Sequence, residues 1–291
     1  MPVAPPQMAV SIIIPFFNAE EYLERCLRGL HAQEMPERAV EILMVDNNST
    51  DRGPEIVRGD PRVRLLQEAR QGAYAARNRG IAEARGQLLV FLDPDCVPQA
   101  GWLPALVGEF RDPGVQMVVG RVDPGGGSYA LRLLGAYENQ KLVFAFGTDR
   151  PSMYSGYGGN MAVRRDALDT TGRFVEDRRG GDTLLVIRAA ELFGCDAVRY
   201  VPHARVSHLE VMTLGTFYRK FFVYGRSRRR HTSSAAPRPL SRAERTAIVR
   251  QAVGSESRPL LASASLFALL AAGVGFFRAG AMSSRWSHAG R

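Results

Sequence analysis

Two carboxylates separated by one proline follow an apolar run in this 291-residue chain. The run is Leu88 to Leu92, and the acids are Asp93 and Asp95. Successive apolar residues are typical of a buried strand, which ends at the edge of its sheet. Carboxylate oxygens at such an edge suit a hard divalent cation, and such a cation suits a diphosphate. A purely structural acidic turn, stiffened by the proline, is the alternative interpretation.

Polar residues also follow two earlier apolar runs. The run Glu41 to Asp46 ends in an acid and leads into Asn47, and the run Val10 to Pro15 is soon followed by Asn18. In a parallel sheet the carboxyl ends of the strands meet at one edge, where open α/β sheets bind their ligands. The sequence therefore predicts one crevice lined by four polar side chains: Asp46, Asn47, Asp93 and Asp95.

The first half of the chain alternates strand-like and helix-like segments at spacings that make βαβ units. This pattern predicts an α/β fold with a mostly parallel sheet and helices on its faces. The alanine-rich segment Ala73 to Arg85 is one such helix, and it presents Arg77. Arg77 is expected near the crevice, where its guanidinium would balance the negative charge of phosphate groups. Other helices are predicted over Glu20 to His31, Trp102 to Phe110, Leu131 to Phe146 and Asp182 to Gly194.

The net charge of +9 is concentrated in one part of the chain. Residues 219–258 hold eleven basic and two acidic side chains, whereas residues 1–218 hold 24 basic and 27 acidic ones. A nucleic-acid-binding protein more often spreads its arginines through the fold, so no nucleic-acid partner is expected. Three widely spaced cysteines argue against disulfides and structural zinc and fit a reducing compartment. Cys96 is expected to pack, because a soft thiolate suits a hard-cation site poorly.

Residues 216–291 differ in composition from the rest of the chain. Thr216 to Tyr224 places aromatic residues along one helical face beside Arg219 and Lys220, and residues 260–277 form an uncharged stretch. As a helix, this stretch is about 27 Å long, roughly the thickness of a bilayer core. A buried or surface-lying helix is the alternative, since serines and glycines weaken the apolar signal. The preceding arginines favour the cytoplasmic face of the inner membrane, with single-pass or peripheral attachment.

The ordered motifs SIIIPFFN, VDNNSTD, RQGAYAARNRG and LDPDC resemble those of family 2 glycosyltransferases, from about Ala9 to about Gly225. The resemblance implies the nucleotide-sugar-binding GT-A fold and a nucleoside-diphosphate sugar as donor. It implies that Pro15 and Asn18 flank the base and ribose and that Asn47 contacts the base. Asn47 stands where relatives carry an acid, so uracil or thymine stays possible and the base is left open.

The same resemblance assigns the cation site and the acceptor side. Asp93 would lie at the ribose, and Asp95 would ligate the Mn²⁺ or Mg²⁺ that bridges the diphosphate. His208, rather than His203, lies where the family often has a metal or diphosphate ligand. The segment Gly158 to Leu168 resembles the acceptor-side region, and two of its residues are expected to contact the acceptor: Gly159 and Asn160.

The family's catalytic base is the aspartate of a Gly-Glu-Asp triplet, which reads Gly180-Gly181-Asp182 here. Asp182 is therefore the expected base of an inverting transfer, in which it takes the proton of the attacking acceptor hydroxyl. The alternative is that Asp182 only caps the helix that follows it. Gly181 departs from the triplet's glutamate and leaves the acceptor contacts open.

These expectations amount to a metal-dependent glycosyltransferase whose acceptor is a glycan or lipid-linked molecule of the cell envelope, close to a membrane surface. Two other classes of protein are the alternatives. A nucleotidyltransferase needs a glycine-rich loop after its first strand, and PFFNAEEY lacks one. A catalytically degenerate scaffold or sugar-nucleotide-binding protein is favoured by Gly181 and opposed by the three retained acids.

The expected parts are a catalytic domain at 1–215 (donor half about 9–120, acceptor half about 121–215), a basic helical segment at 216–258, a transmembrane or membrane-associated helix at 259–278, and a tail at 279–291.

Overall fold

The computed structural model describes residues 9–33, 40–176, 180–227 and 238–286. The middle of the expected basic segment, 228–237, and the end of the expected tail, 287–291, lie outside the described residues.

Strands and helices alternate as the sequence predicts through the donor half. Its elements are β1 (Val10–Phe16), α1 (Glu20–His31), β2 (Val40–Asp46), α2 (Gly53–Arg58), β3 (Val63–Gln67), α3 (Ala73–Glu83), β4 (Leu88–Leu92), β5 (Cys96–Pro98), α4 (Trp102–Gly108) and β6 (Met117–Pro124). The remaining elements are α5 (Tyr129–Phe146), β7 (Asn160–Arg164), α6 (Arg165–Thr171), α7 (Gly181–Phe193), β8 (Val198–His208), α8 (Leu214–Ser227), α9 (Arg242–Ala252) and α10 (Pro259–Trp286).

The described residues form one eight-stranded sheet with the order β3-β2-β1-β4-β7-β6-β8-β5. β1 pairs in parallel with β2 and β4, and β2 pairs in parallel with β3. β7 runs antiparallel to β4 and β6, and β5 runs antiparallel to β8, whereas β6 and β8 are parallel. The predicted α/β sheet with flanking helices is confirmed. Its parallel part is the donor half, which brings the ends of β1, β2 and β4 to one edge.

Successive residues of β1 reach two different cores, as the two-residue period of a strand requires. Ile12 and Ile14 pack with residues of α1, α2 and α4, whereas Ile13 packs with residues of α3, α6 and α7. Helices therefore cover both faces of the sheet. This double burial explains why the strands that carry the crevice residues read as nearly continuous apolar runs.

The C-terminal helices pack on the acceptor half through a third core. Leu133 and Leu134 of α5 contact Ile248 of α9 and Leu266 of α10 in this core. α10 includes a 24-residue apolar stretch, Pro259–Met282, that is long and apolar enough to cross a membrane by length and composition. The expected membrane helix is thus also a packed part of the described fold.

α8 and α10 touch backbone to backbone. A Cβ atom on Gly225 would lie 1.9 Å from the carbonyl oxygen of Phe277, and one on Gly280 would lie 2.0 Å from the carbonyl oxygen of Phe222. Small residues at such crossings are typical of helices that pack in membranes. The aromatic face predicted for α8 therefore has α10 as a neighbour.

We predict that Gly280→Leu lowers the free energy of unfolding by about 1 to 3 kcal/mol, because the new side chain forces α8 and α10 apart. Gly275→Leu is the matched control on the same helix, since a Cβ there meets no atom within 4 Å. Thermal unfolding in mild detergent would measure both. Equal stability of the two variants would contradict the close helix contact.

Candidate active site

The Asp93 carboxylate at the end of β4 is paired with the Arg77 guanidinium of α3. Arg77 is only 4% exposed, and its guanidinium carbon lies 5.5 Å from the ring centre of Tyr74 and 5.7 Å from that of Phe174. Its Nε has no hydrogen-bond partner among the described residues. Arg77 thus forms a buried ion pair that fixes Asp93, and its phosphate contact stays a prediction.

Two glycines let the chain before β7 lie directly on this ion pair. A Cβ on Gly158 would lie 2.9 Å from the guanidinium carbon of Arg77, and one on Gly159 would lie 2.7 Å from Oδ2 of Asp93. A larger residue at either position would force the Arg77 or Asp93 side chain to shift. Gly159 was expected on the acceptor side, and the structure places it against the donor-side acid.

Asp182 is held with its carboxylate between two structural elements. Its Oδ2 accepts a hydrogen bond from the Gly158 amide at 2.9 Å, and its Oδ1 accepts one from the Tyr74 hydroxyl at 3.2 Å. α7 begins one residue earlier, after Gly180 in the left-handed conformation. Asp182 is therefore inside α7 and is not its N-cap residue, and its Oδ1 also accepts from the Thr183 amide at 2.9 Å.

Tyr74 also explains the glycine that precedes Asp182. The Gly181 amide donates to the Tyr74 hydroxyl at 3.0 Å, and a Cβ on Gly181 would lie 3.1 Å from the Tyr74 ring. Burial, followed by the charge of Asp182, raises the pKa of Tyr74, so the hydroxyl stays a donor. Tyr74 was not predicted from the sequence. Its position three residues before Arg77, on the same helical face, was the available signal.

Asp95 and His208 meet because β5 pairs Cys96 with His208 on β8. His208 Nδ1 lies 3.5 Å from Asp95 Oδ2 and has no hydrogen-bond partner among the described residues. Burial, then the neighbouring Asp93, raises the pKa of Asp95 to about 7. Burial, then the Lys220 ammonium, lowers the pKa of His208 to about 4, so its ring is neutral. His203 is exposed on the same strand.

These residues fit a divalent cation. Asp95, Cys96 and His208 each place one ligand-type atom within 4.8 Å of the others. Burial and the nearby acids raise the pKa of Cys96 well above its usual value, so it carries a protonated thiol. The neutral His208 ring has an Nδ1 without a partner among the described residues, and this atom faces the buried Asp95 carboxylate. A cation would bind between these two groups.

Lys220 on α8 forms the outer wall of this group. Its ammonium lies 2.6 Å from Nε2 of His208 and 3.1 Å from the carboxylate of Glu210. The Tyr157 ring lies 5.9 Å from the His208 ring on the other side. The sequence marked Lys220 only as part of a basic aromatic helix face, because nothing local shows which element that face covers.

Asn47 has all its hydrogen-bonding capacity engaged by the segment that leads into α3. Its Nδ2 donates to the carbonyls of Glu68 and Arg70, at 2.9 and 2.8 Å. Its Oδ1 accepts from the Gly72 amide at 2.6 Å and the Gln71 side chain at 3.3 Å. A direct base contact would replace these bonds. The structure therefore gives Asn47 the role of holding residues 68–72, which only an amide could fill because an acid cannot donate to carbonyls.

The loops after β1 and β2 are bonded together. Asn18 Oδ1 accepts from the Thr50 amide at 2.8 Å, and the Ser49 hydroxyl accepts from the Asn18 amide at 3.0 Å. Asp46 is buried at the end of β2, where its Oδ1 accepts from the Ser49 amide at 3.0 Å. Pro15 lies beyond Ile13, the last residue of β1 paired with β4, so its missing N–H costs no bond on that side. All these residues line the predicted edge.

Asn160 is not available to an acceptor, because it is 0% exposed. Its Oδ1 accepts from the Trp102 indole at 2.8 Å, and its Nδ2 donates to the carbonyls of Arg121 and Ala204, at 2.8 and 2.9 Å. It fills the register shift of β6 between Gly120 and Arg121. The acceptor contact expected for Asn160 is corrected to a structural role.

Comparisons with known proteins agree with this fold. The sequence profile of Glycosyl transferase family 2 matches residues 11–172. Glycosyltransferase AglE of Haloferax volcanii is 34% identical over 191 residues, which are 62% of this chain and 61% of AglE. Pre-mycofactocin glycosyltransferase of Mycobacterium tuberculosis is 26% identical over 266 residues, which are 87% of this chain and 55% of that protein. The chain thus spans less than two thirds of either relative.

Solved structures share the fold over nearly the whole chain. Mannosyltransferase PcManGT from Pyrobaculum calidifontis, in complex with GDP-Man and Mn²⁺, aligns with a TM-score of 0.64 and 21% identity over 99% of this chain and 90% of that one. S. aureus TarS 1–349 aligns with a TM-score of 0.52 and 17% identity over 98% and 93%. With the family profile covering more than half of its residues, this chain belongs to the family 2 glycosyltransferases and has their GT-A fold.

Proposed function

We propose that this protein transfers a sugar, with inversion, from a nucleoside-diphosphate sugar to a hydroxyl of a lipid-linked or cell-envelope glycan. The observation that carries the proposal is the double use of α3. Tyr74 holds the Asp182 carboxylate, and Arg77, three residues later, holds Asp93. A hydrogen-bonded carboxylate, Asp182, and an ion-paired one, Asp93, are thus both fixed next to residues 158 and 159.

The donor would bind along the edge formed by β1, β2 and β4. Pro15, Asn18 and Asp46 lie where the base and ribose are expected, and Asp93 keeps Oδ2 for a ribose hydroxyl. Support for a nucleotide-sugar donor comes from fold relatives, since PcManGT binds GDP-Man and glucosyl-3-phosphoglycerate synthase from Mycobacterium tuberculosis binds UDP-Glc. Asn47 would act on the base indirectly, through the segment that it holds.

Asp95 and His208 would hold a divalent cation, for which the Mn²⁺ of both relatives is support. When bound, the cation would neutralise charge on the departing diphosphate. Asp182 would accept the proton of the acceptor hydroxyl as that oxygen attacks the anomeric carbon. The Tyr74 hydroxyl and the Gly158 amide would keep the carboxylate aimed during the transfer.

The membrane assignment rests on α10, together with the basic segment before it. Leu260 and Leu261 near its start are 87% and 61% exposed, and Phe267 and Phe276 further along are each 45% exposed. Exposed apolar residues of this size along one helix are typical of a membrane-facing surface. We place the catalytic domain on the cytoplasmic face of the membrane, where nucleotide sugars are available.

Nucleoside diphosphate release from a panel of UDP- and GDP-sugars, with and without Mn²⁺, tests the proposal. Mn²⁺-dependent release from at least one donor supports it. Nucleotide binding without release from any donor, with candidate acceptors present, would instead support the degenerate scaffold or sugar-nucleotide-binding protein.

Asp182→Asn is expected to lower kcat by about 10² to 10⁴ with little change in donor KM, because the general base is lost. Tyr74→Phe removes one hydrogen bond to that base and should lower kcat by roughly tenfold. Tyr129→Phe is the control, since Tyr129 is 45% exposed at the start of α5. Steady-state kinetics measure all three, and wild-type turnover in Asp182→Asn would refute the base assignment.

Mn²⁺ affinity should fall about tenfold per pH unit below pH 7 and level off above it, because the cation must displace the Asp95 proton. The sign follows from the raised pKa of Asp95, about 7. His208, with a pKa of about 4, is neutral throughout and adds no slope. Mn²⁺ titration by electron paramagnetic resonance measures the profile. A wild-type affinity that does not change with pH, or a slope that persists in Asp95→Asn, would contradict it.

Leu261→Glu combined with Phe267→Glu should reduce flotation with phosphatidylglycerol vesicles by at least about tenfold, since each side chain contributes about 1.5 to 3 kcal/mol when buried. Leu192→Glu on α7 is the control, because Leu192 is 57% exposed and lies on another part of the molecule. An equal loss of vesicle binding in Leu192→Glu and in the double variant would contradict a specific role for α10.

A further inference from the structure

A cavity of about 400 Å³ lies between α5, α8 and the loop before β7. This volume is within the range of small-molecule sites. Most of its wall is apolar or aromatic, and the main contributors are Val119, Val122, Leu142, Tyr157, Phe217 and Phe221. Of the residues given a ligand or catalytic role above, only His208 lines this cavity.

One end of the cavity borders the candidate cation site. His208 and Lys220 both line it, and Nδ1 of His208 faces Asp95 at 3.5 Å. A molecule that fills the cavity would therefore place its head next to the groups that receive the donor diphosphate.

The other end opens near the membrane-facing helices. Tyr224 lines the cavity and is 48% exposed. Phe217, Lys220, Phe221 and Tyr224 follow the spacing of one face of α8. The adjoining face packs on α10, where the Tyr218 ring stacks on Phe276 at 5.0 Å. Phe221, which lines the cavity, also lies against α10, since a Cβ on Gly273 would be 3.7 Å from its ring. The mouth of the cavity at Tyr224 is therefore close to α10, whose outer side is apolar and exposed.

Away from His208, three of the polar side chains that line the cavity, Lys141, Tyr200 and Lys220, already have partners within the protein. Lys141 pairs with Glu138, and the Tyr200 hydroxyl donates to Asn139 at 2.7 Å. Lys220 pairs with Glu210 at 3.1 Å. A sugar in this space would leave its hydroxyls short of partners, which costs free energy, whereas a hydrocarbon gains from leaving water. The wall chemistry therefore favours an apolar occupant.

We infer that this cavity binds the hydrocarbon chain of a lipid-linked acceptor, with the acceptor's polar head at His208 and Lys220. The inference rests on the proposed function, and it adds the site and the chemical class of the acceptor. The chain would enter beside Tyr224 from the surface that α10 presents to the membrane.

Alkyl β-glucosides of increasing chain length are the test ligands: methyl, butyl, hexyl and octyl. They are titrated calorimetrically, below their micelle concentrations, into the full chain held in nanodiscs, with empty nanodiscs subtracted. Affinity is expected to rise about fourfold per added methylene as the chain enters the cavity. Leu142→Trp, which fills the cavity, should weaken octyl glucoside binding by at least about tenfold and leave methyl glucoside unchanged.

Val143→Trp is the matched control, because Val143 is the next residue of α5, is 40% exposed and does not line this cavity. Leu142→Gln, of similar size but polar, provides a second variant if the tryptophan disturbs folding, and it should also flatten the chain-length dependence. A wild-type affinity independent of chain length, or equal losses in Leu142→Trp and Val143→Trp, would overturn the inference. Phenyl β-glucoside binding as tightly as octyl glucoside would assign the cavity to an aromatic group instead.

Mn²⁺-dependent binding of GDP and UDP is measured on the same samples. Nucleotide binding with no chain-length effect would refute the cavity assignment alone. Chain-length dependence without nucleotide binding in any variant would refute the proposed function and leave a lipid-binding cavity.

Discussion

The buried ion pair between Arg77 and Asp93 is the interaction on which the candidate active site depends. Removing one member of such a pair strands a charge and typically costs about 3 to 5 kcal/mol. The pair fixes the end of β4 to α3, and Gly158 and Gly159 pack directly on it. Because the amide of Gly158 in turn holds Asp182, the position of the proposed base follows from an ion pair on the donor side of the crevice.

Both departures from the family pattern have a physical reason in this structure. Asn47 donates to two carbonyls of the segment leading into α3, which an acid could not do. Gly181 leaves room for the Tyr74 ring, whose hydroxyl bonds to the neighbouring base. Each change is therefore matched by a second residue of this chain. Two substitutions that are each matched by a second residue indicate a site rearranged around its acids. This weakens the interpretation of the protein as a catalytically degenerate scaffold.

The sequence predicts the strand ends well, because an apolar run followed by an acid is a local signal. It predicts Asp46, Asp93 and Asp95 as crevice residues for that reason, whereas the prediction for Asp182 comes from the resemblance of Gly180-Gly181-Asp182 to the family's triplet. It does not predict that Arg77 is committed to Asp93 or that Asn160 is buried, since these roles depend on which element packs over each side chain. The length of β6 is likewise set by tertiary pairing, because β8 pairs with it as far as Pro124 through a register shift. The docking of α9 and α10 on α5 is a tertiary property that no local pattern contains.

The contacts at Gly225 and Gly280 have a mechanical consequence. Because the two backbones are in direct contact at these glycines, we expect α8 and α10 to shift together. Lys220 lies five residues from Gly225 on α8, which is about 7.5 Å along the helix axis, and it contacts His208. α8 thus connects α10 with the proposed cation ligand. A shift of α10 would therefore also displace the lysine that contacts His208.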